Sequence, residues 1–407
     1  MRLAPLCLER AGAVPLAVDI TIPDIKKDSS FLRALLPHAA RVSHLSLTGY
    51  SFAEALADNL PGLFASSMPD LTSLELHQSM EPDILLPSSE LPLPPVFRDV
   101  SKLRSLHLTR TAIYPTLFGT ISLNELKLTG YKNPSHFGTF IEFLASNPNL
   151  ETVVLDVVFV EGSVRVVPVL MAPLARLRRL SITCAKPIDA KGLLSCISLP
   201  RGAGLEVFCS QRISLDLCLP SPSTPIQNVL KPITVMRFQA TPRVIHVFGS
   251  NGGSFSFRSP QFTTLQSPEL HLFPTASVRE FYVNVAPWPP TPKFLVPLFS
   301  QLPALETLVV AGASYWATGA FDSLAGQPPL CPSLKTIALF NCVLTSEVLK
   351  ELEGVAANRK GSAAALLYRV VIVGSTVAPP DDTLIQRLRQ HVPCVDVRVD
   401  DKLPDLS

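Results

Sequence analysis

An apolar residue, two variable residues, an apolar residue, one variable residue and a third apolar residue form a phrase that recurs along the chain. It reads Val42-Ser43-His44-Leu45-Ser46-Leu47, Leu71-Thr72-Ser73-Leu74-Glu75-Leu76 and Leu103-Arg104-Ser105-Leu106-His107-Leu108. It continues at Leu123, Leu126 and Leu128, at Leu150, Val153 and Leu155, and at Leu177, Leu180 and Ile182. It returns late in the chain at Val278, Leu305, Leu334 and Leu367, each followed by the same spacing. Most steps are ~27–33 residues, with one of ~20, near the period of leucine-rich repeats. In a strand, alternate side chains face opposite ways, so the paired aliphatics of Leu74-Glu75-Leu76 point inward and Glu75 points out.

Between these strands lie helical patterns. Asp28 precedes Phe31, Leu32, Leu35 and Leu36, and Phe137, Phe140, Ile141 and Leu144 have helical spacing. So do Phe294, Leu295, Leu298, Phe299 and Leu302, in a helix that Pro297 should shorten or kink. Further helices are predicted after Thr345-Ser346 and after Asp381-Asp382, whose acidic side chains suit a helix N-terminus. The expected fold is therefore α/β: a leucine-rich-repeat solenoid with a curved parallel sheet inside and helices outside. The middle is expected to be irregular and β-rich, with Asn251-Gly252-Gly253-Ser254 as a hairpin turn. The chain divides into a lead-in strand and helix (1–40), N-terminal repeats (41–185), irregular β-rich repeats and loops (186–276), C-terminal repeats (277–400) and a tail (401–407).

Composition narrows the function classes. Hydrophobic residues make up 47% and charged residues 17%, the opposite of a disordered chain. The formal charge is +2, with no clustered basic footprint, so no nucleic-acid partner is expected. No apolar run reaches the ~20 residues of a membrane span, so no membrane partner is expected either. The eight cysteines form no CxxC pair and no secretory leader is read, which predicts reduced thiols in the cytoplasm or nucleus. Cys342 falls where its thiol would satisfy backbone groups at a turn.

The opening Cys7-Leu8-Glu9-Arg10-Ala11-Gly12-Ala13-Val14-Pro15-Leu16-Ala17-Val18-Asp19-Ile20 resembles a segment of the F-box/leucine-rich-repeat proteins of mushroom-type fungi. Phe31-Leu32, Leu35-Leu36 and Arg41-Val42 with Leu45-Ser46-Leu47, and Leu193-Leu194-Ser195-Cys196-Ile197-Ser198-Leu199-Pro200, resemble later parts of that pattern. In that family the segment follows an F-box, which docks the adaptor of a cullin-type ubiquitin ligase; no F-box is read here. The resemblance implies a substrate-recognition repeat region, with the ligase adaptor as partner only if an F-box lies upstream. The alternative is a leucine-rich-repeat regulator or inhibitor independent of any F-box.

No Gly-x-Ser-x-Gly, His-Glu-x-x-His or Gly-rich phosphate loop is present. The expectation is a non-enzymatic scaffold for a protein ligand, without catalytic residues, cofactor or metal. His44, His77 and His107 flank three successive strands, but His44 precedes its Leu-x-Leu while His77 follows it, so they do not stack in one column. They are read as polar residues of a solvated sheet rather than a proton-responsive patch. The outward positions of the early repeats are polar, and those of the late repeats are apolar and aromatic. Exposed apolar patches mark interaction sites, so Tyr282, Val309, Ala311, Tyr315, Trp316, Ala338 and Phe340 are the candidate protein-binding residues; the alternative is that a long loop, from the irregular middle of the chain, covers this face.

Overall fold

A computed structural model describes residues 8–22, 34–49, 66–78, 99–110, 121–130, 137–156, 172–184, 187–210, 217–220, 233–240, 243–249, 252–258, 273, 275–284, 292–312, 314–326, 328–362, 364–374 and 382–398. The chain folds as two compact units, Met1–Ser210 and Gln211–Ser407. Each is α/β, built on a large and mostly parallel sheet.

In the first unit the strands are β1 (Leu16–Ile22), β2 (Val42–Gly49), β3 (Ser73–Gln78), β4 (Ser105–Thr109), β5 (Glu125–Thr129) and β6 (Thr152–Asp156). A short β7 (Ala172–Pro173), β8 (Arg179–Cys184), a short β9 (Ile197–Ser198) and β10 (Gly204–Cys209) complete them. β1 to β6, then β8 and β10, pair in parallel in chain order, while β7 pairs with β9. Helices α1 (Phe137–Ala145) and α2 (Pro187–Ser195) fall between strands. The helix expected from Asp28 lies outside the described residues except at its end, which leads into a 3-10 helix, Leu36–Arg41.

The register explains the recurring phrase. Val18, Leu45, Leu74, Leu106, Leu126, Val153, Leu180 and Leu205 stand side by side across the sheet. All are buried. The leading apolar residue of several phrases enters the same core from a tight turn: Leu71 N–H bonds Met68 O, Leu103 bonds Val100 O and Leu177 bonds Leu174 O, at 2.9–3.1 Å, whereas Leu123 N–H bonds Asn147 Oδ1 at 3.1 Å. A full side chain's burial contributes roughly 1.5–3 kcal/mol, so the column supplies much of the unit's stability.

The second unit opens differently. β11 (Ile233–Ala240), β12 (Arg243–Gly249) and β13 (Ser254–Arg258) are antiparallel. This agrees with the expected interruption, although β11 itself was not anticipated. Gly252, at φ +82°, lies in the β12–β13 connection as the hairpin reading requires. From β11 the sheet continues in parallel through β14 (Glu280–Asn284), β15 (Thr307–Ala311), β16 (Thr336–Phe340), β17 (Arg369–Val373) and β18 (Cys394–Arg398). Helices α3 (Pro292–Ser300), α4 (Ser314–Leu324), α5 (Ser346–Lys360) and α6 (Asp382–His391) alternate with these strands, each packed on the next. α3 contains Pro297 and has only nine residues. α5 starts at a Thr345 cap, whose hydroxyl accepts from Val348 N–H at 3.3 Å.

A second recurring device closes the strands. Arg110, Gly130, Gly312, Asn341 and Gly374 each follow a strand and have φ between +49° and +72°. Their N–H groups bond the last carbonyl of the next strand, as in Gly130 to Asp156 O at 2.7 Å and Asn341 to Val373 O at 2.9 Å. Cys342, one residue later, has the role expected of it: its thiol lies 3.5 Å from Val310 O and 3.4 Å from Phe340 O. Arg359 of α5 is also buried. Its guanidinium donates to the carbonyls of Leu330 (2.5 Å), Cys331 (3.0 Å), Leu334 (3.3 Å) and Ala365 (3.3 Å), tying the turn that precedes β16 to the segment that precedes β17.

Two predictions follow from this packing. In denaturant titrations, Leu126→Ala or Leu308→Ala should cost about 2–5 kcal/mol, and Lys127→Ala no more than about 0.5 kcal/mol; equal sensitivity would contradict the in–out assignment. Arg359→Leu should cost about 3 kcal/mol or more in the same titration, because four carbonyls lose their donor together.

Candidate functional site

The outward positions of β3, β4 and β5 set two carboxylates, Glu75 and Glu125, on either side of His107. Alternation turns Ser73, Glu75 and His77 away from the apolar column, as it does Ser105, His107 and Thr109 on β4 and Glu125, Lys127 and Thr129 on β5. Pairing sets Glu75 beside His107, His107 beside Lys127, His77 beside Thr109 and Ser105 beside Glu125. Glu75 Oε2 lies 3.3 Å from His77 Nε2, and Glu75 Oε1 lies 3.3 Å from His107 Nδ1. The other ring nitrogen of His107, Nε2, is 3.2 Å from Glu125 Oε1. Ser105 Oγ donates to Glu125 Oε2 at 3.2 Å, and His77 Nδ1 lies 2.9 Å from Thr109 Oγ1.

These histidines do not stack in one column, as the sequence indicates. A shared column is unnecessary, however, because the Glu75 carboxylate spans two strands and collects both rings. Partial burial pushes the Glu75 carboxyl up. The hydrogen bond from His77 and the positive charges available on His107, His44 and His77 outweigh this, leaving it below its ordinary value of 4.5. The sequence signal was the equal phase of the repeats, which predicts that Glu75 neighbours His107.

Ser105, His107 and Glu75 have the connectivity of a serine–histidine–carboxylate relay, with Ser105 Oγ 3.3 Å from His107 Nε2. Ser105 Oγ also lies 3.2 Å from Glu125 Oε2, so its one proton is shared between two acceptors, and the N–H of Ser105 is engaged by Thr72 O at 3.1 Å.

In the second unit, the expected binding residues separate into two groups. Tyr282, Val309, Ala311, Ala338 and Phe340 do come together, with Val371 and Val373, on the outward face of β14 to β17. The expectation that they form an exposed patch needs correction: Val309 is 5%, Ala338 6% and Phe340 5% exposed. In register, Val309 lies between Tyr282 and Ala338, and Ala338 between Val309 and Val371, and these side chains pack as one apolar cluster. Tyr282 donates to Glu280 Oε2 at 2.8 Å and packs its ring 5.0 Å from the Arg237 guanidinium. Burial, then the Glu280 contact, pushes its hydroxyl up to about 12.

Trp316 belongs elsewhere. It was read as following a strand on the outward face, but Ser314–Leu324 is a helix, and Trp316 is 4% exposed, packed against Phe281 and Phe299 at 6.4 and 6.2 Å between ring centroids. Its indole fills the core between strand and helix. Tyr315 lies in the same helix, and its side chain is outside the described residues.

The described cysteines form no disulfide. Cys184 and Cys209 are register partners with sulfurs 3.1 Å apart, and this contact, followed by burial, drives the Cys184 thiol strongly upward. Burial raises Cys331 to about 12. Neither is disposed to act as a thiolate. Among the described residues, no group of three or more His, Cys, Asp or Glu could hold a metal ion, and no helix is long and apolar enough to cross a membrane. Compared with protein-family models and with curated proteins, the chain matches none.

The lowered Glu75 carboxyl carries a signed prediction. Its contribution to stability is present above the ordinary carboxyl range and is lost as pH falls below it. Thermal unfolding of Glu75→Gln should therefore start from a lower midpoint at about pH 6 and lose less than the unmodified chain between about pH 6 and pH 3.5. Parallel curves for the two proteins would contradict the assigned contacts.

Proposed function

We propose that this chain is a leucine-rich-repeat protein whose outward sheet face binds another protein without catalysing a reaction on it. The observation that carries the reading is the aligned column Asp19, Ser46, Glu75, His107, Lys127, Val154, Ser181 and Glu206, one variable side chain from each of β1 to β6, β8 and β10, on the face opposite the buried aliphatics. Such a face offers a row of side chains that can vary without disturbing the core, which is how repeat arrays recognise extended partners. The Cys342 thiol set against backbone carbonyls after β16, the left-handed residue that closes a strand and the turn that opens it support the repeat assignment. The likeness of the opening segment to fungal F-box proteins favours substrate recognition for a ubiquitin ligase as the biological setting. In that setting the ligase adaptor binds only a chain in which an F-box precedes this segment.

An amine-reactive cross-linker applied to the chain in extract from its source cells, followed by affinity capture and peptide mapping, tests the reading. Partner peptides should attach at Lys127 on the outward face and not at Lys350 or Lys360, the exposed lysines of α5. Attachment confined to Lys350 and Lys360 would overturn the face assignment, and capture of no protein would overturn the function.

A further inference from the structure

We propose that the cluster of Glu75, His77, His107 and Glu125 is a proton-gated docking point for a lysine- or arginine-rich polypeptide segment. This inference rests on the protein-binding reading above and gives it a partner chemistry and a control.

Elsewhere on the described surface, carboxylates such as Asp70, Glu151, Glu206 and Glu306 pair with this chain's own lysines and arginines. Glu75 and Glu125 pair instead with imidazoles, groups whose charge changes between about pH 5 and 8. The carboxylates stay accessible, with 27% of the Glu75 side chain and 42% of the Glu125 side chain exposed, and His107 between them at 18%.

His107 is the gate. A neutral imidazole has one N–H and one lone pair. Set between Glu75 Oε1 and Glu125 Oε1, the neutral ring can donate to only one of these oxygens, and the other faces a lone pair. That oxygen accepts a donor from outside, while the second oxygen of the same carboxylate keeps its contact with His77 or Ser105, and a lysine or arginine supplies both the proton and the charge. The imidazolium has two N–H groups and satisfies both carboxylates at once, which closes the site and repels a cation.

The surroundings reinforce the sign. β1 contributes Asp19, β2 His44, β3 His77, β4 the Arg110 at its end, β5 Lys127 and β6 Asp156; Thr109 and Ser105 are neutral. With neutral rings, the carboxylates of Asp19, Glu75, Glu125 and Asp156 outnumber the cations of Lys127 and Arg110. Protonation of His44, His77 and His107 removes that excess.

The test uses the full chain and a fluorescein-labelled decalysine peptide, read by fluorescence anisotropy at low salt. Decalysine should bind at about pH 7.5 and about five- to tenfold more weakly at about pH 5.5, the scale expected of a few partly exposed charge pairs. The His77→Gln/His107→Gln double variant should bind at both pH values with less than about a twofold difference. Glu75→Gln/Glu125→Gln should not bind at either, while Glu206→Gln, whose carboxylate already holds Arg179 at 2.9 Å, should behave like the unmodified chain. Absence of decalysine binding at pH 7.5, or an undiminished pH effect in the histidine double variant, would overturn the proposal. So would an equal loss in Glu206→Gln. A natural partner that cross-links to Lys127 but holds equally at pH 5.5 would overturn the gate and leave the protein-binding reading standing. Circular dichroism of each variant checks that the sheet is retained.

Discussion

Lateral register between neighbouring strands is the constraint on which everything else depends. A single five-residue strand such as Ser105–Thr109 has two inward aliphatics and cannot bury them alone. Paired in parallel with its neighbours it joins a continuous apolar column, and a slip of one residue would turn every one of those side chains into water. The chain holds register at both strand ends. Before the strand, Arg104 N–H bonds Thr72 O at 2.8 Å and Asn124 N–H bonds Arg104 O at 2.7 Å; after it, Arg110 and Gly130 bond forward to the next strand. The backbone thus carries a ladder that needs no particular outward side chain.

That independence lets one backbone plan make two unlike faces. In the first unit, the outward positions carry carboxylates, imidazoles and hydroxyls, and the strand spacing brings Glu75 within reach of rings on its own and the next strand. In the second unit the equivalent positions carry Tyr282, Val309, Ala338 and Val371, which cover one another. The polar face keeps partly exposed charged groups, while the apolar face is largely buried. This difference moves the binding argument from the late repeats to the early ones.

Much of the fold was legible because periodicity reports alternation directly. Leu74-Glu75-Leu76, Leu126-Lys127-Leu128 and their counterparts became strands, and the patterns at Phe137, Thr345-Ser346 and Asp382 became helices. What escaped were elements without a clear period. α4 contains Ala317, Gly319 and Ala320, small residues that leave a weak apolar stripe, so Trp316 was assigned to the wrong face. β11 follows a Pro- and Ser-rich stretch and alternates poorly. The Glu75 cluster escaped because His77 and His107 share no column; the carboxylate that joins them bridges two strands, a contact that side-chain reach rather than periodicity determines. The burial of Phe340 escaped because exposure depends on what packs around a strand from distant parts of the chain, here including Val373 of the next strand.

The most direct test of register is cysteine cross-linking between β5 and β6 in the folded chain. Thr129 and Asp156 are pairing partners, whereas Thr129 and Thr152 lie on the same two strands at opposite ends. Neighbouring in-register positions fall within the 4.4–6.8 Å between Cα atoms that a disulfide spans. Under mild oxidation, the Thr129→Cys/Asp156→Cys protein should form the bond, found by peptide mapping, and the Thr129→Cys/Thr152→Cys protein should remain reduced. The reverse pattern, or equal bonding in both, would contradict the parallel register and every contact built on it.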